Sequence, residues 1–158
     1  MRTFSLLKGL PVYELKSGEK IGDVYDLNIS SNGIVKGLLI KKGGFFRKSY
    51  MIRIENVGSF GWDGVMVEDK KVLEPINSIP DYTFEHKQSL TGKVIMSNEG
   101  KKLGLLEDVY FMEEVGTIVG YELTDGFFSD ITEGKRVVKT VDPPTIGKDA
   151  IIVNVKST

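Results

Sequence analysis

The sequence has no cysteine, which removes a disulfide scaffold, a thiolate-ligated zinc or iron–sulfur centre and a thiol nucleophile together. It has one histidine, His86, so a His-rich metal centre is out of reach and a single imidazole is left as a candidate base. Charge of one sign is also missing. Across 158 residues, 21 Lys and Arg stand against 22 Asp and Glu, a net charge of −1 with a pI near 5.9. Non-specific nucleic-acid binding needs a broad basic face, and this balance argues against it. No long apolar run occurs: the stretch Ile34 to Ile40 is interrupted by Lys36 and Gly37, well short of the ~20 residues of a membrane-spanning helix. The opening Met1-Arg2-Thr3-Phe4-Ser5-Leu6-Leu7-Lys8 is broken by Lys8 with no small-residue cleavage site after it, unlike a signal peptide. A cytoplasmic protein with no membrane span is the expectation.

What is present is an ordinary globular composition, 41% hydrophobic and 27% charged, and it is written twice. Gly18-Glu19-Lys20-Ile21-Gly22 returns 82 positions later as Gly100-Lys101-Lys102-Leu103-Gly104, and Asp26-Leu27 returns at the same offset as Asp108-Val109. Gly33-Ile34-Val35-Lys36-Gly37 returns at offset 83 as Gly116-Thr117-Ile118-Val119-Gly120. Gly44-Phe45-Phe46 matches Gly126-Phe127-Phe128, the segment from Gly61 to Val67 matches Gly147 to Val153, and Leu7-Lys8-Gly9 matches Leu90-Thr91-Gly92. Chance does not supply that many matches in one order with small drifts in spacing. The reading is a first domain over residues 1–69, a linker over 70–88 and a diverged second domain over 89–158. Copies of about 65 residues lie near the lower limit for a self-supporting core. The linker holds Pro75 and Pro80 but also Val72, Leu73, Ile76, Ile79, Tyr82 and Phe84, too apolar for a flexible tether. It is expected to pack on one or both copies.

Within each copy the periodicity is that of strands. Ile21, Tyr25, Leu27 and Ile29 fall on one side, with the polar Asp23 among them, and Val24, Asp26 and Asn28 on the other, nearly the period of two of a half-buried strand. Leu38-Leu39-Ile40, Tyr50 to Ile54 and Val65-Met66-Val67 are short and rich in branched residues, with Gly, Asn, Asp and Ser clusters between them. Ser31-Asn32-Gly33 predicts a hairpin with a type I′ turn. No long 3.6-residue pattern occurs. The fold class is therefore all-β: two small barrels in tandem with few short helical turns.

The order Gly9-x-Pro11-Val12, Gly18-x-Lys20-Ile21-Gly22-x-Val24-x-Asp26-Leu27, Gly33-x-Val35-x-Gly37-Leu38 and Gly43-Gly44-Phe45 resembles the PRC-barrel family. That family includes the photosynthetic reaction-centre H-subunit barrel and the C-terminal domain of the ribosome maturation factor RimM. The resemblance covers nearly all of the first copy and, more loosely, residues 90–155. It implies a PRC-type β-barrel in each copy and a non-catalytic role in holding partners together.

Catalytic groups are scarce. His86 stands between Glu85 and Lys87 with no triad pattern around it. The glycines sit in strand–turn–strand contexts, not at the head of a helix as a phosphate loop requires. Asp125, Asp130 and Glu133 lack the alternating ligands of a calcium loop. Asp26 and Asp108 recur at equivalent sites, which points to a shared structural role such as accepting backbone N–H bonds. No enzyme activity, cofactor or metal is expected.

Aromatic loops remain. Phe45 and Phe46 lie between Lys41-Lys42 and Arg47-Lys48, whereas Phe127 and Phe128 lie between Asp125 and Asp130. Either the rings plug the barrel ends, or the tips are contact surfaces, where aromatics and Arg are enriched. Residues 1–75 carry 12 basic and 9 acidic side chains and residues 76–158 carry 9 and 13, so +3 faces −4, which admits self-association. The leading reading is a non-enzymatic protein–protein interaction adaptor. Its candidate partner-binding residues are Phe45, Phe46, Arg47, Lys48, Phe127 and Phe128, and its partner is another protein of acidic or mixed charge. The alternatives are an RNA- or ribosome-associated factor, and a small-ligand-binding regulatory module using a groove between the barrels.

Overall fold

Residues 1–43, 47–76, 81–124, 136–140 and 142–154 are described by the computed structural model of the chain. A two-residue strand β1 (Arg2–Thr3) and one helical turn α1 (Phe4–Leu7) precede β2 (Pro11–Glu14), β3 (Lys20–Ile29), β4 (Val35–Lys42) and β5 (Lys48–Arg53). Then come β6 (Ser59–Phe60), β7 (Val65–Val67), β8 (Glu74–Pro75) and β9 (Tyr82–Thr83). The second repeat supplies β10 (Val94–Ser97), β11 (Lys102–Phe111), β12 (Ile118–Thr124), β13 (Arg136–Lys139), β14 (Thr145–Ile146) and β15 (Ala150–Val153). The protein is all-β, two tandem small β-barrels, and among the described residues no helix is long and apolar enough to cross a membrane.

Apart from β8, the two sheets repeat each other strand by strand. One runs β6-β7-β2-β3-β4-β5-β8 and the other β13-β12-β11-β10-β15-β14 in the reverse sense. Val12 lies beside Val65 in a parallel pair, as Ile95 lies beside Ile151. The pairing of β3 with β4 shifts register after Val24 and again after Asn28, and that of β11 with β12 shifts after Leu106 and Tyr110, the equivalent positions. Each bulge adds a residue to one strand and sharpens the twist. One extra residue in each strand of the pair, Tyr25 in β3 and Lys36 in β4, matched by Glu107 in β11 and Val119 in β12, lets so short a chain curl on itself.

The hairpin between β3 and β4 forms where Asn32-Gly33 predicts it, but not with the expected turn. Asn32 keeps a negative φ, Gly33 alone is left-handed at φ 80°, and its N–H donates to the Ser30 carbonyl at 3.0 Å. This is the longer loop in which a single left-handed glycine closes the hairpin, so only one residue needs positive φ. The matching loop from Met112 to Thr117 is one residue longer and ends on Gly116 at φ 81°, which accounts for the drift of the repeat offset. At these two tips the repeats touch: Ile34 bridges Thr117, its own equivalent, and the Val35 N–H donates to the Gly116 carbonyl at 2.7 Å.

Sheet membership then crosses between repeats. β1, the lead-in of the first, pairs with β11 of the second through Arg2↔Phe111 and Thr3↔Tyr110. β9, the lead-in of the second, pairs with β3 of the first through Tyr82↔Ile29 and Thr83↔Asn28. The two exchanges match position for position, because Ile29 and Asn28 are the counterparts of Phe111 and Tyr110. Each exchange is held by the repeated aspartate. Asp26, fully buried, accepts the N–H groups of Phe84 (2.9 Å) and Glu85 (3.1 Å) besides that of Leu27 (2.8 Å). Asp108 accepts the Ser5 N–H at 3.3 Å besides that of Val109 at 2.9 Å. Phe4 and Phe84, next to the two donors, meet edge to face at 5.0 Å. The linker leans on this centre: Val72, Leu73 and Tyr82 pack on the core and Phe84 is buried in it, while Ile79 and Pro80 lie outside the described residues. The buried apolar side chains of both sheets form one continuous cluster.

Two stability measurements test these assignments. Asp26→Ala strands three backbone donors and is expected to cost about 3–4 kcal/mol, and Asp108→Ala about 2 kcal/mol, since it strands fewer and longer bonds. Urea unfolding checks the order, and equal losses would contradict it. Tyr121 replaces the Leu38 of the first repeat, and its buried hydroxyl has no hydrogen-bond partner among the described residues, so burial pushes its ionisation up. Tyr121→Phe is therefore expected to leave stability unchanged or raise it by up to about 1 kcal/mol.

Candidate functional site

The lead-in exchange brings Arg2 into the seam between the repeats. Its guanidinium is held from several sides. Nε donates to Glu113 Oε2 at 3.1 Å, Nη2 donates to the Phe60 carbonyl, and the Trp62 ring lies over Cζ at 4.7 Å. Glu113 also accepts the Met1 ammonium at 2.8 Å through Oε1. The Arg2 side chain is only 8% exposed, and Nη1 has no partner among the described residues. Glu113 comes from the β11–β12 loop, Phe60 ends β6, and Trp62 lies in the β6–β7 turn that follows. The site therefore exists only because both repeats contribute to it.

Local geometry explains why Trp62 faces solvent. Gly61 donates to the Gly64 carbonyl at 2.9 Å, closing a turn whose two central residues, Trp62 and Asp63, point away from the sheet. Trp62 is 76% exposed and its face is used by a cation, an arrangement that fixes an aromatic ring without burying it. The matching turn of the second repeat puts Lys148 in that place. A groove of about 330 Å³, lined by Ile54, Val57 and Phe60 together with Glu55, Glu113 and Glu114, shares Phe60 and Glu113 with the contacts of Arg2. Met112 and Val115 are exposed on the same loop that carries Glu113. The surface thus combines an exposed aromatic anchor, an apolar trough and an acidic rim. Hydrogen bonding from the Met1 ammonium is the main cause that holds the Glu113 carboxyl below its ordinary 4.5; burial opposes it, and the charges of the ammonium and Arg2 add to it.

Of the residues singled out in the sequence, Phe45, Phe46, Phe127 and Phe128 lie outside the described residues, as do Asp125, Asp130 and Glu133. Arg47 is half-exposed and reaches Asp23 at 3.5 Å, a carboxylate it shares with Lys20 at 2.9 Å. Lys48 sits directly across from Lys42 at the end of the β4–β5 pair, and Lys41 lies over the Tyr25 ring at 4.8 Å. The structure therefore does gather Lys42, Arg47 and Lys48 at one strand end. His86 is tied by Nδ1 to Asp26 Oδ2 and meets the edge of Tyr25 at 5.2 Å, so it belongs to the clamp. Among the described residues no group of three His, Asp or Glu side chains is placed to hold a metal. Arg2, Trp62 and Glu113 escaped the sequence reading. The signal for Trp62 was there, a lone tryptophan inside Gly61-Trp62-Asp63-Gly64. That for Arg2 was not, because its partners stand 58 and 111 positions away.

The sequence matches the PRC-barrel domain twice, over residues 1–80 and over residues 83–158. It is also similar, at 32% identity over 156 residues, to the uncharacterized protein YrrD of Bacillus subtilis (strain 168), a span that covers 98% of this chain and 88% of that protein.

The seam carries a pH signature. Glu113 is ionised more readily in the folded chain than in the unfolded one, so its stabilisation is fully present above pH 4.5 and fades as the pH falls through the lowered value. The melting temperature of the parent should exceed that of Glu113→Gln at neutral pH, and the gap should close on acidification. A gap that stays constant from pH 7 to about pH 3 would contradict the ion pairing.

Proposed function

The chain belongs to the PRC-barrel family, and on that premise we propose that it is a non-enzymatic cytoplasmic adaptor that docks another protein at the seam between its repeats. The observation that carries this reading is Trp62, a tryptophan left 76% exposed and held by the Arg2 guanidinium, which is bound in turn to two residues of the groove, Phe60 and Glu113. Exposed, oriented tryptophan next to arginine is the composition of an interface anchor. The acidic rim of Glu55 and Glu114 favours a partner segment that brings basic and apolar side chains. The groups that would suggest catalysis have other duties: Asp26 and Asp108 are used up on backbone N–H groups, and His86 on Asp26.

A second contact is favoured by the cationic strand end. Lys42 opposite Lys48 is a like-charge pair that costs stability unless an anion compensates it. The proposed ligand of that end is an acidic protein surface, with Arg47 and Lys48 as its contacts. An RNA ligand, the competing reading, would show binding that falls steeply with salt.

Affinity capture from source-cell extract with the parent and with Trp62→Ala, followed by mass spectrometry, tests the seam. The variant should melt within about 2 °C of the parent, because the ring is outside the core, yet lose one or more proteins that the parent retains. Identical retained sets would sink the seam as the docking site.

A further inference from the structure

The two sheets differ at one edge. In the first, the outer side of β5 is covered by the chain's own β8, with Tyr50 opposite Pro75 and Met51 opposite Glu74 in an antiparallel pair. Glu74 there reaches Arg53 Nε at 2.9 Å. In the second sheet β13 occupies the place of β5. The pairing of each strand with its inner neighbour aligns Arg53 with Lys139, Ile52 with Val138, Met51 with Val137 and Tyr50 with Arg136. Among the described residues nothing pairs with the outer side of β13, which ends its sheet.

The backbone of that edge can be oriented from one bond. The Thr140 N–H donates to the Val119 carbonyl at 3.2 Å, so by the alternation of an antiparallel ladder Val138 and Arg136 turn their backbone groups toward β12. Val137 and Lys139 turn theirs outward. The Val137 side chain is 48% exposed, and Lys139, at the counterpart of Arg53, is exposed with no carboxylate partner among the described residues. Arg136 is spoken for by the Leu103 carbonyl.

We propose that the outer edge of β13 accepts an extended acidic segment of a partner protein as an added antiparallel strand, as β8 caps β5. Main-chain bonds to Val137 and Lys139 would hold the segment, and a carboxylate at the place of Glu74 would pair with Lys139. The chain's own Glu74-Pro75 is the template. Proline is admissible after the carboxylate because the N–H it lacks would face away from the edge. Pairing with the same edge of a second copy is disfavoured, since antiparallel strands would bring Arg136 and Lys139 of one chain to those of the other. This inference rests on the docking reading for the nature of its ligand, but it uses a surface separate from Trp62.

The test is NMR titration of the full chain, at low salt, with a capped peptide copying residues 72–76 (Val-Leu-Glu-Pro-Ile). Saturable shifts centred on the Val137 and Lys139 amides are expected in the millimolar range. Lys139→Glu should weaken the peptide about fivefold, and the same peptide with Gln for Glu should bind more weakly to the parent. Val137→Pro removes an outward N–H without touching the bonds to β12, so it should abolish binding with the β12 amides still protected. Three results would overturn the inference: no saturable shift, shifts at Tyr50 and Met51 from displacement of the internal cap, or Val137 and Lys139 amides already protected in the free chain. If any of these occurs while Trp62→Ala still loses captured proteins, the docking reading stands without this edge. If the edge binds and Trp62→Ala loses nothing, the seam assignment falls alone.

Discussion

Each repeat buries an aspartate whose hydrogen-bond donors come in part from the other repeat. A carboxylate removed from water is tolerated only where enough donors surround it, and for Asp26 these are the N–H groups of Leu27, Phe84 and Glu85, the last two from the second lead-in. Asp108 asks the same of Ser5 in the first lead-in. Neither carboxylate is satisfied within its own repeat alone, and that reciprocity ties the two into one body. The contacts nearest the centre join equivalent positions, Phe4 with Phe84 and Ile34 with Thr117. Such self-matching contacts are those of a two-fold symmetric dimer, realised here within one chain. The continuous apolar core follows, since two copies this small gain more burial together than apart.

A symmetric backbone leaves function to the places where the repeats diverge. Trp62 stands where the second repeat has Lys148, and its cation, Arg2, is supplied by a lead-in whose counterpart in the second repeat carries Tyr82 at the equivalent pairing position. The cap on β5 has no described equivalent on β13. The loop flanked by Lys41-Lys42 and Arg47-Lys48 in the first repeat is flanked by Asp125 and Asp130 at the matching place in the second sequence copy. Divergence of surface side chains over a common frame is how one fold comes to present different contacts at its two ends. The small total charge is the sum of these opposed parts, and it hides them.

Much of the frame was legible because it depends on local chemistry. Glycines and aspartates recur at fixed spacing, since bulges and tight loops limit which residues fit. The near-alternation in Ile21 to Ile29 marks a strand but not its buried side, because the register shift at Tyr25 breaks the phase and buries Val24 and Asp26 together with Leu27 and Ile29. The turn at Asn32-Gly33 was legible as a turn but not as its type. Loop length decided that: with one residue more than a two-residue hairpin, Gly33 alone carries the positive φ. The repeated aspartates were legible as backbone acceptors, yet their donors were not, because Phe84 and Glu85 lie almost sixty positions from Asp26.

The amino-acid sequence by itself determined the two copies, their strand character and their all-β class, since periodicity and glycine placement are properties of neighbouring residues. Tertiary structure alone decided that the lead-ins change places, that Arg2 is buried under an exposed Trp62 across the seam, and that one sheet edge is capped while its counterpart ends its sheet among the described residues. Those are long-range pairings. They are set by which buried polar groups find partners when two half-formed cores close on each other, and no window of sequence contains both sides of such a bond.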